Sequence, residues 1–199
     1  AYRVVTADGK EYAINPTTIR YRKENLAVDL AVLQFSSRNS YRIATLGTAQ
    51  LKDKTRVFVS GFPSNPLHQR VLTTGQSVVK EYKEFAAKES YSLAGGVGLL
   101  YTCLSIGGMS GGPVLDGQGR VVAINTGTEN YNFGSTGPET SDGINLGFSL
   151  GVPIDTFTGV SGQFAVQAQQ LTVERTQPKE ISAAEHQRIR TQLKTMKAP

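Results

Sequence analysis

One serine stands in a run of glycines that suits covalent chemistry. Ser110 is flanked by Gly107 and Gly108 on one side and by Gly111 and Gly112 on the other. Glycine dihedrals allow a tight turn that points consecutive backbone amides at one spot. A serine on such a turn can attack a substrate while the amides hold a negative oxygen. The same residues also fit a plain glycine-rich turn between two strands, so this stretch alone leaves both interpretations open.

A carboxylate interrupts an otherwise apolar run earlier in the chain. Asp29 lies between Leu26 and Leu33, where nearly every other residue is Leu, Ala or Val. An ionised carboxylate buried in such a strand is costly unless it is hydrogen-bonded or faces an opposite charge. The run therefore predicts either a carboxylate that orients a catalytic histidine or a residue at a strand edge that caps a loop.

The sequence contains two histidines, and neither has an evident catalytic setting. His68 lies in a loop with Asn65 and Pro66, where a solvated side chain is a better interpretation than a general base. His186 belongs to the C-terminal tail, far along the chain from Ser110 and Asp29. The sequence thus offers a nucleophile and a carboxylate but no clear base.

The composition is that of an ordinary globular protein. Of the 199 residues, 39% are hydrophobic and 19% are charged, and no apolar run is long enough to cross a membrane. The net charge of +5 resides partly in the tail and is too scattered to indicate nucleic-acid binding. The single cysteine, Cys103, excludes an internal disulfide and a cysteine-rich metal site, and it is predicted to pack as a buried apolar residue. We predict no cofactor and no metal ion.

Short segments rich in Val, Ile, Tyr and Thr alternate with turn residues along the body of the chain. This pattern predicts an all-β protein built as a sandwich or barrel. Asp8 and Gly9 predict a hairpin turn, and a weak helical pattern covers residues 81–90. The predicted strands are residues 2–6, 11–21, 26–35, 56–60, 70–79, 99–105, 113–115, 120–125 and 145–150.

The composition changes after Phe157, which places one predicted domain over residues 1–158. Residues 159–199 are interpreted as a Gln-rich linker followed by an amphipathic helix. Ser182 and Glu185 are spaced as a capping box at the start of that helix. The apolar residues that share one face of the helix are Ile189, Leu193 and Met196.

Several blocks in this order resemble the chymotrypsin-fold serine peptidases, in particular their bacterial HtrA-type and glutamyl-endopeptidase branch. The blocks are residues 29–33, 57–63, 108–113, 121–127 and 143–150. Together they extend from about residue 2 to residue 157. The resemblance implies a chymotrypsin-like double β-barrel whose first barrel is incomplete in this chain, followed by a C-terminal helical tail.

The resemblance also implies roles for individual residues. Ser110 would be the nucleophile of a serine endopeptidase and would form an acyl-enzyme with the substrate. The amides of Gly108 and Ser110 would form the oxyanion hole, and Asp29 would orient the catalytic imidazole. The residues expected to bind the substrate backbone as an added strand are Asn125, Thr126 and Gly127.

Some residues depart from the family pattern. Met109 occupies the position where zymogens of this family carry an aspartate, so we expect no activation through an ion pair with a new N-terminus. Leu104 falls near the floor of the specificity pocket, which gives no basis for a preference for Lys or Arg. Glu129 or Asp142 could enter the pocket instead, although loop carboxylates are usually only solvated.

The missing histidine leaves two hypotheses. The family places it before the aspartate strand, and its expected position falls a few residues upstream of Ala1. In the first hypothesis a separate N-terminal fragment carries the histidine, completes the first barrel and yields an active serine endopeptidase. In the second the chain is an inactive pseudo-peptidase that serves as a peptide-binding or scaffold module. Both hypotheses expect a protein or peptide partner, no nucleic acid and no membrane span, and the compartment stays open between cytoplasm and cell envelope.

Overall fold

The structure is a computed structural model. It describes residues 2–14, 20–21, 28–64, 69–79, 96–128, 148–166 and 168–195. The helical pattern predicted for residues 81–90 lies outside these ranges, as do His68, Glu129 and Asp142.

The N-terminal part of the chain forms two small antiparallel sheets. Strands β1 (Arg3–Val5) and β2 (Glu11–Ala13) make the hairpin that Asp8 and Gly9 predicted, with Arg3 opposite Ala13. Strands β3 (Arg20–Tyr21) and β4 (Ala31–Val32) form the second pair. The strand predicted over residues 26–35 is therefore shorter than expected, and Asp29 precedes it. The described residues do not join these sheets into the predicted first barrel.

A six-stranded antiparallel sheet forms the rest of the fold. Its strands are β5 (Arg56–Gly61), β6 (Val71–Gln76), β7 (Leu99–Tyr101), β8 (Pro113–Asp116), β9 (Val121–Thr128) and β10 (Ser149–Pro153). They lie in the order β6-β5-β8-β9-β10-β7. The two edge strands meet where Ser77 bridges Tyr101 and the Val78 amide donates to the Leu100 carbonyl at 2.9 Å. This mostly β architecture confirms the predicted class, and closure removes the open strand edges from this sheet.

The main hydrophobic core lies inside the closed sheet. Alternate residues of a strand point to opposite faces, so Val57 and Val59 both face inward and are fully buried. Cys103 is buried beside them, as its sequence context predicted. The other members of this cluster are Leu51, Leu99, Tyr101, Met109, Val114, Val122 and Ala123.

The C-terminal part begins with helix α1 (Ile154–Val160) and the 3-10 turns Ser161–Phe164 and Ala168–Gln170. It then runs along the sheet, where the Leu46 amide donates to the Thr172 carbonyl and the Glu174 amide donates to the Leu46 carbonyl, both at 2.8 Å. The segment interpreted as a linker thus makes main-chain hydrogen bonds with the body. The domain boundary at residue 158 stays a prediction.

Helix α2 (Ala183–Thr195) follows this segment. The Ser182 hydroxyl oxygen accepts a hydrogen bond from the Glu185 amide at 3.1 Å, which confirms the predicted N-cap. Among the described residues, no helix is long and apolar enough to span a membrane.

A buried ion pair fastens the C-terminal segment to the sheet. Arg120 Nε donates to Asp116 Oδ2 at 2.8 Å, and these side chains are only 4% and 0% exposed. The same guanidinium donates to the Thr176 hydroxyl at 2.7 Å and to the Thr176 carbonyl at 3.1 Å. Because a guanidinium has five donors in a fixed plane, one arginine can join the hairpin between β8 and β9 to residue 176.

Candidate active site

Ser110 lies in the turn between β7 and β8, and hydrogen bonds fix the turn on both sides of it. The Met109 amide donates to the Ile106 carbonyl at 3.0 Å, and the Gly112 amide donates to the Met109 carbonyl at 3.1 Å. The Gly111 amide then donates to the Asn125 carbonyl at 2.7 Å. The backbone around Ser110 is consequently tied to β9 and cannot move independently of the sheet.

Two of the glycines are required by close backbone approach. Gly108 has a φ of +93°, and a Cβ atom there would lie 2.5 Å from the Ser64 amide nitrogen. A Cβ atom on Gly112 would collide with the Ser60 carbonyl oxygen. The glycine-rich sequence is therefore not a plain loop, because the turn packs directly against the end of β5.

Met109 anchors the turn from below. Its side chain is fully buried in the main core and lies against Gly61, while the neighbouring Ser110 is exposed. An apolar side chain at this position provides packing in place of the ion pair that an aspartate would make. The expectation that no N-terminal amine activates the protein stays a prediction.

A buried asparagine supports the same turn from the side of β9. Asn125 is fully buried, and its amide nitrogen donates to the Met109 carbonyl at 3.0 Å and to the Ser105 hydroxyl at 2.9 Å. Its amide oxygen accepts from the Tyr101 hydroxyl at 2.5 Å. Sequence analysis missed this role, although a polar residue directly after the apolar run 121–124 was a signal for it.

The predicted substrate-binding residues differ in how far their polar groups are already engaged. The backbone of Asn125 is paired, since its amide donates to the Gly112 carbonyl at 2.8 Å and its carbonyl accepts from Gly111. Thr126 and Gly127 follow it on β9, and the Thr126 hydroxyl donates to the Leu150 carbonyl at 3.2 Å. Substrate pairing by these three residues stays a prediction, and Asn125 has the least capacity left for it.

The Ser110 hydroxyl donates to the Thr126 carbonyl at 3.0 Å. Within the part of the chain that the structure describes, the amides of Gly108 and Ser110 donate to no protein acceptor. This is the state that an oxyanion hole needs, because donors already engaged could not receive a negative oxygen.

Asp29 is exposed. Its neighbours Val28 and Leu30 are half-buried, and Val28 packs near Gly96. Over the described ranges, no hydrogen bond joins Asp29 to Ser110 and Asp29 does not line the cleft beside the serine. Its role as the orienting carboxylate stays a prediction.

His186 lies away from the candidate site, on the outer surface of the β5–β6 pair. Its Nε2 is 3.0 Å from the Thr74 hydroxyl oxygen, and its ring centroid is 5.8 Å from that of Phe58. It therefore packs helix α2 against the sheet. The structure thus agrees with the expectation that this histidine is not the base.

Two ionisable groups beneath the turn are held neutral by burial. Burial raises the pKa of Tyr101 well above its usual range, with a further contribution from Cys103. Burial likewise raises the pKa of the Cys103 thiol to about 12. Neither group can act as an anionic nucleophile or base near neutral pH.

A cleft of about 390 Å³ opens beside Ser110. Its walls are residues 108–113 of the turn and, at the end of β5 and the start of β6, Ser60, Gly61, Phe62 and Arg70. Leu104, predicted near the pocket floor, is 64% exposed and its carbonyl accepts from the Thr73 hydroxyl at 2.7 Å. A serine, a phenylalanine and an arginine are thus among the residues that line the cleft.

Residues 1–124 match the model of a protein family described as Trypsin-like peptidase domain. The match covers well over half of the 199 residues and includes the turn with Ser110. The mostly β structure with its six-stranded sheet is consistent with that fold. No curated protein matches the chain.

Proposed function

The chain belongs to the trypsin-like peptidase domain family, and from that premise we propose that it is a serine endopeptidase acting through an acyl-enzyme on Ser110. The observation that carries the proposal is the combination of an exposed serine with two amides, those of Gly108 and Ser110, that have no protein acceptor in the described residues. Peptides are the substrates that membership in this family implies.

In the proposed reaction, Ser110 Oγ attacks the substrate carbonyl carbon and gives its proton to a histidine. The carbonyl oxygen becomes negative and accepts hydrogen bonds from the amides of Gly108 and Ser110. The C–N bond then breaks as the imidazolium returns the proton to the leaving amine, and water later hydrolyses the acyl-enzyme. The hydroxyl must first leave the Thr126 carbonyl, so a base has to compete with that hydrogen bond.

The base is proposed to come from a segment outside residues 1–199, which can be a separate cleaved fragment. Exposed apolar side chains near the start of the chain support this assignment: Tyr2 is 68% exposed, Val5 62% and Ile43 69%. Additional strands laid on the two small N-terminal sheets would cover such side chains. In this arrangement the Asp29 carboxylate would accept a hydrogen bond from Nδ1–H of the incoming histidine and hold its ring in the working tautomer.

The substrate residues before the scissile bond are proposed to pair with the end of β9, where Thr126 and Gly127 follow Asn125. Asn125 then acts as a positioning residue, since its side chain holds the Met109 carbonyl. This division separates the residues that touch the substrate from the residue that keeps the turn in place.

Labelling with a fluorophosphonate tests the proposal, because the reagent phosphonylates only an activated serine. Residues 1–199 are co-expressed with a histidine-bearing segment, and labelled peptides are identified by mass spectrometry. We expect the label on Ser110, no label after Ser110→Ala, and unchanged labelling after Ser36→Ala, a change at an exposed serine of the N-terminal part.

Absence of labelling and of proteolysis in the complete protein would contradict the proposal and favour an inactive peptide-binding module. Denaturing mass spectrometry of the native protein tests the origin of the base separately. A second polypeptide that carries the histidine supports the two-piece arrangement, and a single polypeptide contradicts it.

A further inference from the structure

The cleft beside Ser110 contains one cationic group, Arg70, among the residues that line it. Arg70 directly precedes β6 and Phe62 directly follows β5. Because Gly61 lies opposite Val71 in the pairing of these strands, Phe62 and Arg70 are neighbours at the same end of the β5–β6 pair. An aromatic residue and a basic residue therefore lie side by side at the edge of the cleft.

Both side chains are available to a ligand. Phe62 is 51% exposed and Arg70 is exposed. Within the described ranges, Arg70 makes neither an ion pair nor a hydrogen bond. Arg120, in contrast, is buried and uses its donors on Asp116 and Thr176. As far as the described residues go, the Arg70 guanidinium is therefore not engaged by another group.

Ser110 separates this cleft from the end of β9. On one side its hydroxyl contacts the Thr126 carbonyl. On the other side the turn contacts the residues after β5, since the Ser64 amide donates to the Gly107 carbonyl at 2.8 Å. Under the proposed function, a peptide whose residues before the scissile bond pair with β9 continues past Ser110 along the cleft that Phe62 and Arg70 line. The cleft thus receives residues that follow the scissile bond.

We propose that Phe62 and Arg70 form a specificity subsite for an acidic side chain within the first three residues after the scissile bond. The substrate carboxylate accepts hydrogen bonds from the guanidinium, and the aliphatic part of the side chain packs on the Phe62 ring. The inference rests on the proposed function of Ser110 and adds the class of peptide that the enzyme prefers.

The test begins with the complete peptidase, residues 1–199 together with the histidine-bearing segment. It digests a library of proteome-derived peptides, and mass spectrometry identifies the cleaved bonds. We expect Asp and Glu to be enriched at one of the three positions after the bond. Synthetic versions of one cleaved peptide then carry Glu, Gln or Lys at that position. We expect kcat/KM for the Glu peptide to exceed that for the Gln peptide by roughly two- to fivefold, and we expect the difference to shrink as salt increases.

Substitutions assign the preference to the subsite. Arg70→Gln is expected to abolish the difference between the Glu and Gln peptides, and Arg70→Glu is expected to favour the Lys peptide. Arg175→Gln, at an exposed arginine outside the cleft, serves as the matched control and should keep the wild-type preference.

The possible failures are distinguishable. Cleavage without any acidic preference, or a preference that survives Arg70→Gln, overturns the subsite while leaving the proposed function intact. Failure of the wild-type protein both to cleave peptides and to react with a fluorophosphonate overturns the proposed function, and the subsite falls with it.

Discussion

The N-terminal part of the chain and the closed sheet differ in how they bury apolar side chains. Among the residues described before Leu46, a single hydrophobic residue is buried: Ile14, which is 3% exposed. The closed sheet instead surrounds a cluster of ten buried hydrophobic residues. Because burial of apolar surface is the main favourable term in folding, the sheet has its own source of stability and the described N-terminal part has little.

The polar interactions of the two regions differ in the same way. At the N-terminus, Arg3 pairs with Glu11 at 66% and 53% exposure, and the hydroxyls of Tyr12 and Tyr41 lie 2.6 Å apart near the surface. In the sheet, the buried Arg120–Asp116 pair and the Asn125 network have their partners inside the protein. Ser110 thus lies on the well-packed region, while the N-terminal part, which the proposed function expects to complete the site, is weakly packed.

The largest expected effect is that of removing the buried guanidinium. Arg120→Met leaves the Asp116 carboxylate buried without its ionic partner and releases Thr176. We expect the free energy of unfolding to fall by about 3–5 kcal/mol, measured by urea denaturation. Arg3→Met is the control in the N-terminal part. It should lower the free energy of unfolding by less than about 1 kcal/mol, because the Arg3–Glu11 ion pair is exposed. Equal losses in the two variants would contradict the contrast between the regions.

A smaller effect is expected when a methyl group is added to the nucleophile turn. Gly112→Ala forces a Cβ atom against the Ser60 carbonyl, so the turn must shift. Such overpacking costs about 1–3 kcal/mol, and we expect Ser110 of the complete peptidase to react roughly 100-fold more slowly with a fluorophosphonate.

Gly9→Ala is the matched change in the N-terminal hairpin. Gly9 has a φ of +75° and no atom within 4 Å of an added Cβ, so only backbone strain of about 1 kcal/mol is expected. Labelling of Ser110 should be unaffected. An unaltered labelling rate in Gly112→Ala would show that the turn tolerates movement and would contradict its rigid attachment.

Alkaline pH is expected to destabilise the sheet through Cys103. Burial raises the pKa of this thiol from 9.0 to about 12. The unfolded chain therefore releases the thiol proton at lower pH than the folded protein. This thiol has no effect on stability below about pH 9, and between pH 9 and 12 it lowers the free energy of unfolding by up to about 1.4 kcal/mol per pH unit. Tyr101, whose pKa burial also raises, acts in the same direction above its usual range.

Urea denaturation at pH 8, 10 and 11 measures this decline, and Cys103→Ala should make it shallower. Since Cys103 is the only cysteine in the sequence, a thiol reagent at pH 8 reports on it alone. We expect the native protein to react far more slowly than the urea-unfolded protein. Equal reaction rates would show that the core is open to solvent.

The smallest effect is expected at the N-cap of helix α2. Ser182→Ala removes the acceptor of the Glu185 amide and should cost about 1 kcal/mol of local stability. Hydrogen exchange of the amides of residues 183–187 measures it, with Ser36→Ala as the control. Faster exchange throughout the closed sheet would mean that helix α2 stabilises the core. That result would contradict the expectation that the sheet is stable on its own.

Much of the architecture follows from local sequence signals. The runs around Val57, Leu99, Val114 and Val121 predicted strands that the sheet contains, and the spacing of Ser182 predicted the helix cap. Strand ends were less predictable, since β9 extends to Thr128 and β4 is only Ala31–Val32. Pairing with neighbouring strands decides where a strand ends, and an isolated segment does not contain that information.

The turn of the candidate site was predictable from the sequence, and the contacts that hold it in place were not. The glycines around Ser110 indicated a nucleophile turn because the residue types themselves allow it. The roles of Asn125 under Met109 and of Arg120 on Thr176 depend on contacts between residues 16 and 56 positions apart. A local pattern gives no sign of such distances.

The sequence by itself determined the serine in its glycine turn, the mostly β class and the cap of the last helix. Each depends on the dihedral preferences and polarity of neighbouring residues. Only the tertiary structure decided that Asp29 is exposed, that residues 171–176 bind along the sheet, and that Phe62 and Arg70 border the cleft beside Ser110. These features depend on contacts between segments that are far apart in the sequence. Such contacts exist only once the sheet has closed and the segments have packed against it.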